Sequence, residues 1–324
     1  MHYVVTGGAG FIGSHLVEHL VTAAGGHRVT VLDNFSTGKR ENLAPWVDRI
    51  RVVEGSVTDP DACREAIAGA DFVLHQAALP SVPRSLRDPM ASHEANTTGT
   101  LNVLIAARDA HVKRVVYAAS SSAYGNTAEL PKREDMLPRP LSPYAAAKYA
   151  GEQYCRAFHA SFGVGTIALR YFNVFGPRQD PTSQYAAVIP KFIVCAQSGE
   201  PPTIFGDGEQ TRDFTFVRNV VRANLLACEA PPAALGEAYN VGCGERVSVN
   251  ALWRKIRAML GSTVEARFEP SRTGDVRDSL ASLDRVRAML GYTPVVALDD
   301  GLRETVRALT GREPVAAATA AAAR

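Results

Sequence analysis

The chain has 324 residues, 46% of them hydrophobic, and a formal net charge of +2 at pH 7. That length accommodates a large core and two lobes, and the near-neutral charge argues against a nucleic-acid partner. The five cysteines, Cys63, Cys155, Cys195, Cys228 and Cys243, lack the spacing of a disulfide framework or a metal site and are expected as core filler, and no apolar run reaches membrane-spanning length. The sequence opens directly on a strand pattern without a leader peptide, so a reduced, cytoplasmic protein is expected.

In chain order the hydrophobic pattern predicts strand 3–6, helix 11–24, strands 28–32 and 51–54, helix 59–68, strand 72–75, helix 90–110, strand 114–118, helix 142–162 and strand 165–170. This alternation means an α/β fold of Rossmann type, a doubly wound parallel sheet with helices on both faces. After about residue 175 the rhythm breaks and Pro and Gly become frequent. The expected division is a cofactor-binding domain at 1–175, a smaller α/β substrate lobe at 176–314 and a flexible alanine-rich tail at 315–324. Part of the later chain is allowed to return to the sheet.

Thr6-Gly7-Gly8-Ala9-Gly10-Phe11-Ile12-Gly13 links the first strand to the first helix. Gly7 permits a tight turn, Gly10 lets the backbone approach a pyrophosphate at the helix N-terminus, and Gly13 lets the helix lie close to the sheet. Asp33 ends the second strand at the roughly 20-residue spacing of a ribose-binding carboxylate, which favours NAD over NADP. Lys39 and Arg40 lie nearby and are expected as solvated loop charges.

Tyr144 and Lys148 stand at i and i+4, on one face of a predicted helix. A tyrosine has a reference pKa of about 10, too high for a base at neutral pH. A nearby ammonium and a cationic nicotinamide are expected to lower it. Ser120, Ser121 and Ser122 end the preceding strand, where a hydroxyl can orient an alcohol whose proton the tyrosine takes.

These residues resemble the extended short-chain dehydrogenase/reductase family, and within it the nucleotide-sugar 4-epimerases. The resemblance covers residues 1 to about 310. It rests also on His75-Gln76-Ala77-Ala78, on the 117–125 stretch, on Ser142-Pro143-Tyr144 with Lys148, on Arg170-Tyr171-Phe172-Asn173-Val174-Phe175-Gly176-Pro177, and on Gly206-Asp207-Gly208 with Arg212-Asp213-Phe214. It implies tightly bound NAD, oxidation of a UDP-hexose at C4, rotation of the keto-sugar and reduction from the other face. It implies a catalytic set of Ser120, Ser121, Tyr144 and Lys148. Cofactor contacts would come from Phe11, Ile12, Asn34, Phe35, Ser36, Gly38, Ser56, Val57, Gln76, Ala77, Ala78, Asn96, Ala118 and Tyr171, besides the glycines, Asp33, Tyr144 and Lys148.

For the substrate, the resemblance implies Asn173 on a diphosphate oxygen, Arg212 and Arg272 clamping the diphosphate, and Asp275 on the nucleotide ribose. Val188, Ile189, Thr203 and Phe205 would frame the uracil, and Ser81, Val82, Ser122 and Ser279 would meet the sugar. Ser279 stands where relatives restricted to glucose and galactose carry a tyrosine, which leaves room for a 2-acetamido group. Related 4,6-dehydratases carry Asp-Glu where Ser121 and Ser122 stand, which puts dehydration behind epimerization. The expected substrates are UDP-GlcNAc/UDP-GalNAc and UDP-Glc/UDP-Gal. The alternatives are UDP-glucuronate epimerization, another 4-keto nucleotide-sugar reaction, or an NAD-binding regulatory or scaffold protein. Relatives pair through two long helices, so a homodimer is expected. Two departures are Ser56, where an adenine-binding Asp is usual, and Arg218, where a helix-starting Asp is usual.

Overall fold

Strand β1 (His2–Thr6) sends Tyr3 and Val5 into one core and Val4 into another, which is why its sequence is apolar throughout rather than alternating. The structure, a computed structural model, describes residues 1–181, 187–271 and 276–315. After β1 come α1 (Phe11–Thr22), β2 (Arg28–Asp33), β3 (Arg51–Glu54), α2 (Pro60–Ile67), β4 (Phe72–His75), α3 (Val82–Arg87), α4 (Pro89–His93), α5 (Gly99–Asp109), β5 (Arg114–Ser120), α6 (Pro143–Phe162) and β6 (Thr166–Tyr171). The later chain forms β7 (Val174–Phe175), α7 (Val188–Ser198), β8 (Thr203–Phe205), β9 (Thr211–Arg212), β10 (Thr215–Phe216), α8 (Val217–Glu229), β11 (Glu237–Val241), β12 (Val247–Ser248), α9 (Val249–Met259), β13 (Arg267–Glu269), α10 (Asp284–Leu290) and α11 (Leu298–Thr310).

Seven strands pair in parallel in the order β11-β6-β5-β4-β1-β2-β3. Strand order reverses between β1 and β4, which opens a crevice outside their carboxyl ends. Side chains of α1 and α8 fill the core on one face of the sheet, and those of α2, α5 and α6 fill the core on the other. A third core, with Phe175, Phe192, Phe214, Phe216, Trp253 and Leu302, holds the substrate side together. The seventh strand, β11, comes from beyond residue 175 and pairs with β6.

Three details depart from the hydrophobic pattern. The helix expected at 90–110 is α4 and α5 joined by a π-helical turn at Glu94–Thr98. Asn96 in that turn exchanges hydrogen bonds with Leu79, accepting from its N–H at 2.9 Å and donating to its carbonyl at 3.1 Å. The segment expected as a loop at 81–85 begins α3, with the Ser81 hydroxyl accepting the Arg84 N–H at 3.2 Å as its cap. Among the described residues, the chain after Asn173 contains three two-stranded sheets whose strands are too short to show a period. Of the tail expected at 315–324, only Val315 lies within the described residues, and its N–H is donated to the Met259 carbonyl at 2.8 Å.

Candidate active site

A cavity of about 460 Å³ lies at the carboxyl ends of β1, β2 and β4. Gly7, Gly10, Phe11, Ile12, Gly13, Asp33, Asn34, Ser36, Gly38, Ser56, Val57, Gln76, Ala77, Ala78, Ala118, Tyr144, Lys148 and Tyr171 line it. Gly7 has φ +67°, and a Cβ on it would stand 2.7 Å from the Ala77 nitrogen; a Cβ on Gly13 would stand 2.1 Å from the Gly7 carbonyl oxygen. Only glycine lets this turn and helix close over a dinucleotide backbone. Asp33 accepts the Ala9 N–H on Oδ2 and the Phe35 N–H on Oδ1, each at 2.8 Å, which fixes the carboxylate at the wall. Burial raises its pKa against those two bonds. A glycine cradle followed by an oriented carboxylate fits the pyrophosphate and ribose of NAD.

Two residues expected at the cofactor stand off the wall. Phe35, at φ +55°, turns its ring onto the core and under the Arg40 guanidinium at 3.9 Å. Asn96 is buried behind the wall and acts on Leu79, which itself lines the cavity. Lys39 pairs with Asp180 at 3.4 Å and Arg40 with Glu54 at 2.7 Å, and neither lines the cavity.

A second cavity, about 520 Å³, continues from the first and shares Phe11, Ile12, Pro80, Ala119, Tyr144 and Tyr171 with it. Ser120, Ser121, Ser122, Val82, Asn173, Arg212 and Ser279 also line it. Tyr144 thus stands on the wall common to both. Helix α6 presents it there because the Ser142 hydroxyl caps the helix, accepting the Ala145 N–H at 3.2 Å, and Pro143 fills the first turn. The Ser122 hydroxyl donates to Ser120 Oγ at 2.8 Å.

Electrostatics of the protein's own groups differ from expectation. Burial raises the Tyr144 pKa, and a hydrogen bond to Ser120 only partly opposes it. Burial also pushes the Lys148 ammonium down to about 7, and its Nζ donates to the Ala118 carbonyl at 2.9 Å. Desolvation is therefore the largest influence on both groups.

A third cavity, about 280 Å³, shares Asn173, Val174 and Arg212 with the second and adds Val188, Ile189, Thr203 and Phe205. Arg212 Nη1 donates to the carbonyls of Thr211 at 2.9 Å and Arg277 at 2.8 Å. Asn173, at φ +30°, donates to the Asp213 carbonyl at 3.1 Å and to Ser279 Oγ at 3.2 Å. Ser81 lines none of the three cavities, because its hydroxyl caps α3. Arg272 and Asp275 lie outside the described residues. Arg218 pairs with Glu304 on the surface and lines no cavity. It adds no charge to the cleft, and α8 begins without a side-chain cap.

Other wall and support residues escaped the sequence reading. Pro80 follows the 75–78 motif and touches both larger cavities. Lys132 is fully buried at the second cavity, and its Nζ is held by the Thr127 hydroxyl and by the Thr127 and Glu129 carbonyls. Asn224 donates to the Tyr171 hydroxyl at 2.8 Å and accepts from Gln76 at 3.1 Å. Two asparagines, Asn219 and Asn224, amid the buried Val220, Val221 and Ala223 of α8 were the available signal. Among the described residues no cluster suited to a metal ion occurs, all five cysteines are free, and no helix is long and apolar enough to cross a membrane.

This fold and site define an NAD-dependent α/β enzyme, and the chain belongs to the NAD dependent epimerase/dehydratase family, whose sequence profile matches residues 3–242. Its cofactor is NAD. It is similar to the UDP-glucose 4-epimerase of Mycolicibacterium smegmatis, with 40% identity over 94% of this chain and 97% of that protein. Among solved structures it is similar to the UDP-N-acetylglucosamine 4-epimerase of Methanobrevibacter ruminantium in complex with UDP-N-acetylmuramic acid, at 39% identity, TM-score 0.91 and coverage of 96% and 98%. It is also similar to the UDP-glucuronic acid 4-epimerase of Bacillus cereus in complex with its substrate and NAD, at 30% identity, TM-score 0.88 and coverage of 96% and 99%.

Proposed function

We propose that the chain is a UDP-hexose 4-epimerase acting on UDP-GlcNAc/UDP-GalNAc and on UDP-Glc/UDP-Gal. The observation that carries this reading is the place of Tyr144 on the wall common to the cofactor crevice and the adjoining cavity, with Ser120 on the wall of the latter. NAD supplies reversible oxidation of the sugar C4 alcohol. Ser120 orients that hydroxyl, and Tyr144 removes its proton and later returns it. Lys148, buried beside the cofactor, holds the ribose and favours the phenolate when protonated. Asn173 and Arg212 meet the diphosphate where the second and third cavities join, a task suited to a guanidinium. Val188, Ile189 and Phe205 frame the base. Ser121 and Ser122 are hydroxyls, poor proton donors for expelling a C6 oxygen, which supports epimerization over dehydration. The small, 9% exposed Ser279 leaves space beside the sugar for a 2-acetamido group.

The test is proton NMR of UDP-Glc, UDP-Gal, UDP-GlcNAc, UDP-GalNAc and UDP-GlcA incubated with the purified chain. Interconversion of the N-acetylated and neutral pairs is expected. Turnover of UDP-GlcA alone would keep the chemistry and overturn the sugar assignment. The reading includes a cytoplasmic homodimer pairing through α5 and α6, and a solution mass equal to one chain would contradict that part.

A further inference from the structure

Asp213 belongs to the Arg212-Asp213-Phe214 motif, yet lines none of the three cavities. Its side chain is fully buried. Oδ1 accepts the Cys243 N–H at 2.8 Å, and Oδ2 accepts the Gly244 N–H at 3.0 Å and the Ala281 N–H at 3.1 Å. Those donors sit on two segments far apart in the chain, one just past β11 and one around Ser279. The main chain of Asp213 faces the substrate side: its N–H is donated to Ser279 Oγ at 3.4 Å, and its carbonyl accepts Asn173 Nδ2 at 3.1 Å. Asn173 Nδ2 also donates to Ser279 Oγ at 3.2 Å. One residue therefore joins the edge of the large sheet to both polar groups expected at the sugar diphosphate.

Removing an acceptor that serves three N–H groups, that of Ala281 in a buried bond, leaves donors unpaired, and the segments carrying them shift until they find partners. The shift stays local, because the 279–282 segment has other ties. The Ser279 N–H is donated to the Thr211 carbonyl at 3.1 Å, the Lys132 N–H to the Leu280 carbonyl at 2.7 Å, and the Ser282 N–H to the Lys132 carbonyl at 2.9 Å.

We infer that Asp213 is a positioning residue for sugar selection: its buried carboxylate sets where Ser279 and Asn173 stand, and through them the discrimination at the sugar C2 substituent, without touching substrate. This rests on the 4-epimerase reading. Gly242 offers a second lever on the same carboxylate. A Cβ there would stand 2.7 Å from the Ala281 Cβ and 2.8 Å from Asp213 Oδ2, so Gly242→Ala presses on the junction while leaving every partner present.

The experiment measures kcat and KM with UDP-Glc and UDP-GlcNAc, together with NAD released per chain. It compares wild type, Asp213→Asn, Gly242→Ala, Ser279→Ala and the Asp213→Asn/Ser279→Ala double variant. Asp213→Asn keeps the volume but turns an amide N–H toward backbone donors. The expected result is a KM raised about tenfold and a changed preference between the two sugars, with kcat within about threefold and NAD content unchanged. Gly242→Ala should shift the preference in the same direction by less, and decides the matter if Asp213→Asn does not fold. In the double variant Asp213→Asn should add less to the change in preference than it does alone, since the Ser279 part of its action is already gone and only the part through Asn173 remains. Equal losses on both sugars, additive effects in the double variant, or unchanged preference in folded variants would each overturn the proposal. A wild type that turns over neither sugar would instead sink the 4-epimerase reading, and this proposal with it.

Discussion

The cofactor crevice takes its shape from backbone, whereas the two cavities beyond it take theirs from side-chain ties between loops. On the cofactor side, glycines at Gly7 and Gly13 and the carboxyl ends of parallel strands form the wall. On the substrate side, Asn173 and Ser279 meet through a single hydrogen bond across 106 residues, Arg212 is tied to the Arg277 carbonyl, and the strands are two or three residues long. The difference teaches that one half of the site is built to hold one ligand in one way, while the other can be retuned by changing a single tie.

The largest effect should come where the halves meet. Tyr144→Phe removes the proton acceptor but not the wall, so turnover should drop roughly 10²- to 10⁴-fold while NAD content stays constant, read by NMR and by cofactor release. Loss of both together would erase the distinction between the halves. Next, Ser279→Tyr should cut kcat/KM for UDP-GlcNAc about ten- to hundredfold relative to UDP-Glc by filling the space beside C2. An unchanged ratio would mean that the choice of sugar is made elsewhere.

A third test concerns the scaffold under the cofactor half. His75 is buried between Thr6 and Thr100, and burial, aided by nearby Lys148, pushes its imidazole down to about 3. The unfolded chain binds a proton there below about pH 6.5 while the folded chain refuses it, so stability is lost as pH falls from 6.5 toward 3. Between pH 7 and pH 5 this group alone should remove roughly 2 kcal/mol. Urea titrations of wild type and His75→Gln at both pH values should differ by about that amount, the variant being less acid-sensitive. The smallest effect should belong to Arg218→Ala. Its pair with Glu304 is at the surface, so stability should change by less than about 0.5 kcal/mol and the kinetics on every sugar should be untouched.

Much of the large sheet was legible because its strands and helices are long enough to show a period and are punctuated by capping residues such as Asp59 and Ser142. The glycine run and the Tyr144/Lys148 spacing are local patterns, and they placed the serines, tyrosine and lysine around one pair of adjoining cavities. What stayed hidden was long-range. The π turn at Glu94–Thr98 lies where the buried residues are the polar Asn96 and Thr97, so no apolar period marks it. The support of Tyr171 by Asn224 joins residues 53 apart in sequence. Burial around Tyr144 raises its pKa and so opposes the lowering expected from an ammonium and a nicotinamide, and desolvation is a property of the folded surroundings rather than of residue spacing. The expected roles of Phe35 and Ser81 assumed side chains at the wall, but the backbone turns one onto the core and uses the other as a cap.

The placement of β11 beside β6 has a consequence for synthesis of the chain. When a ribosome has made residues through Tyr171, six strands exist, but the edge of β6 has no neighbour and the face that α8 will share is covered by α1 without α8. The covering strand ends at Val241, some 70 residues later (241 − 171). For that interval the nascent protein carries an open, apolar sheet edge, the kind of surface that recruits other strands. The large sheet is therefore closed only when the chain through β11 has been translated, before α9 and α11 of the third core exist.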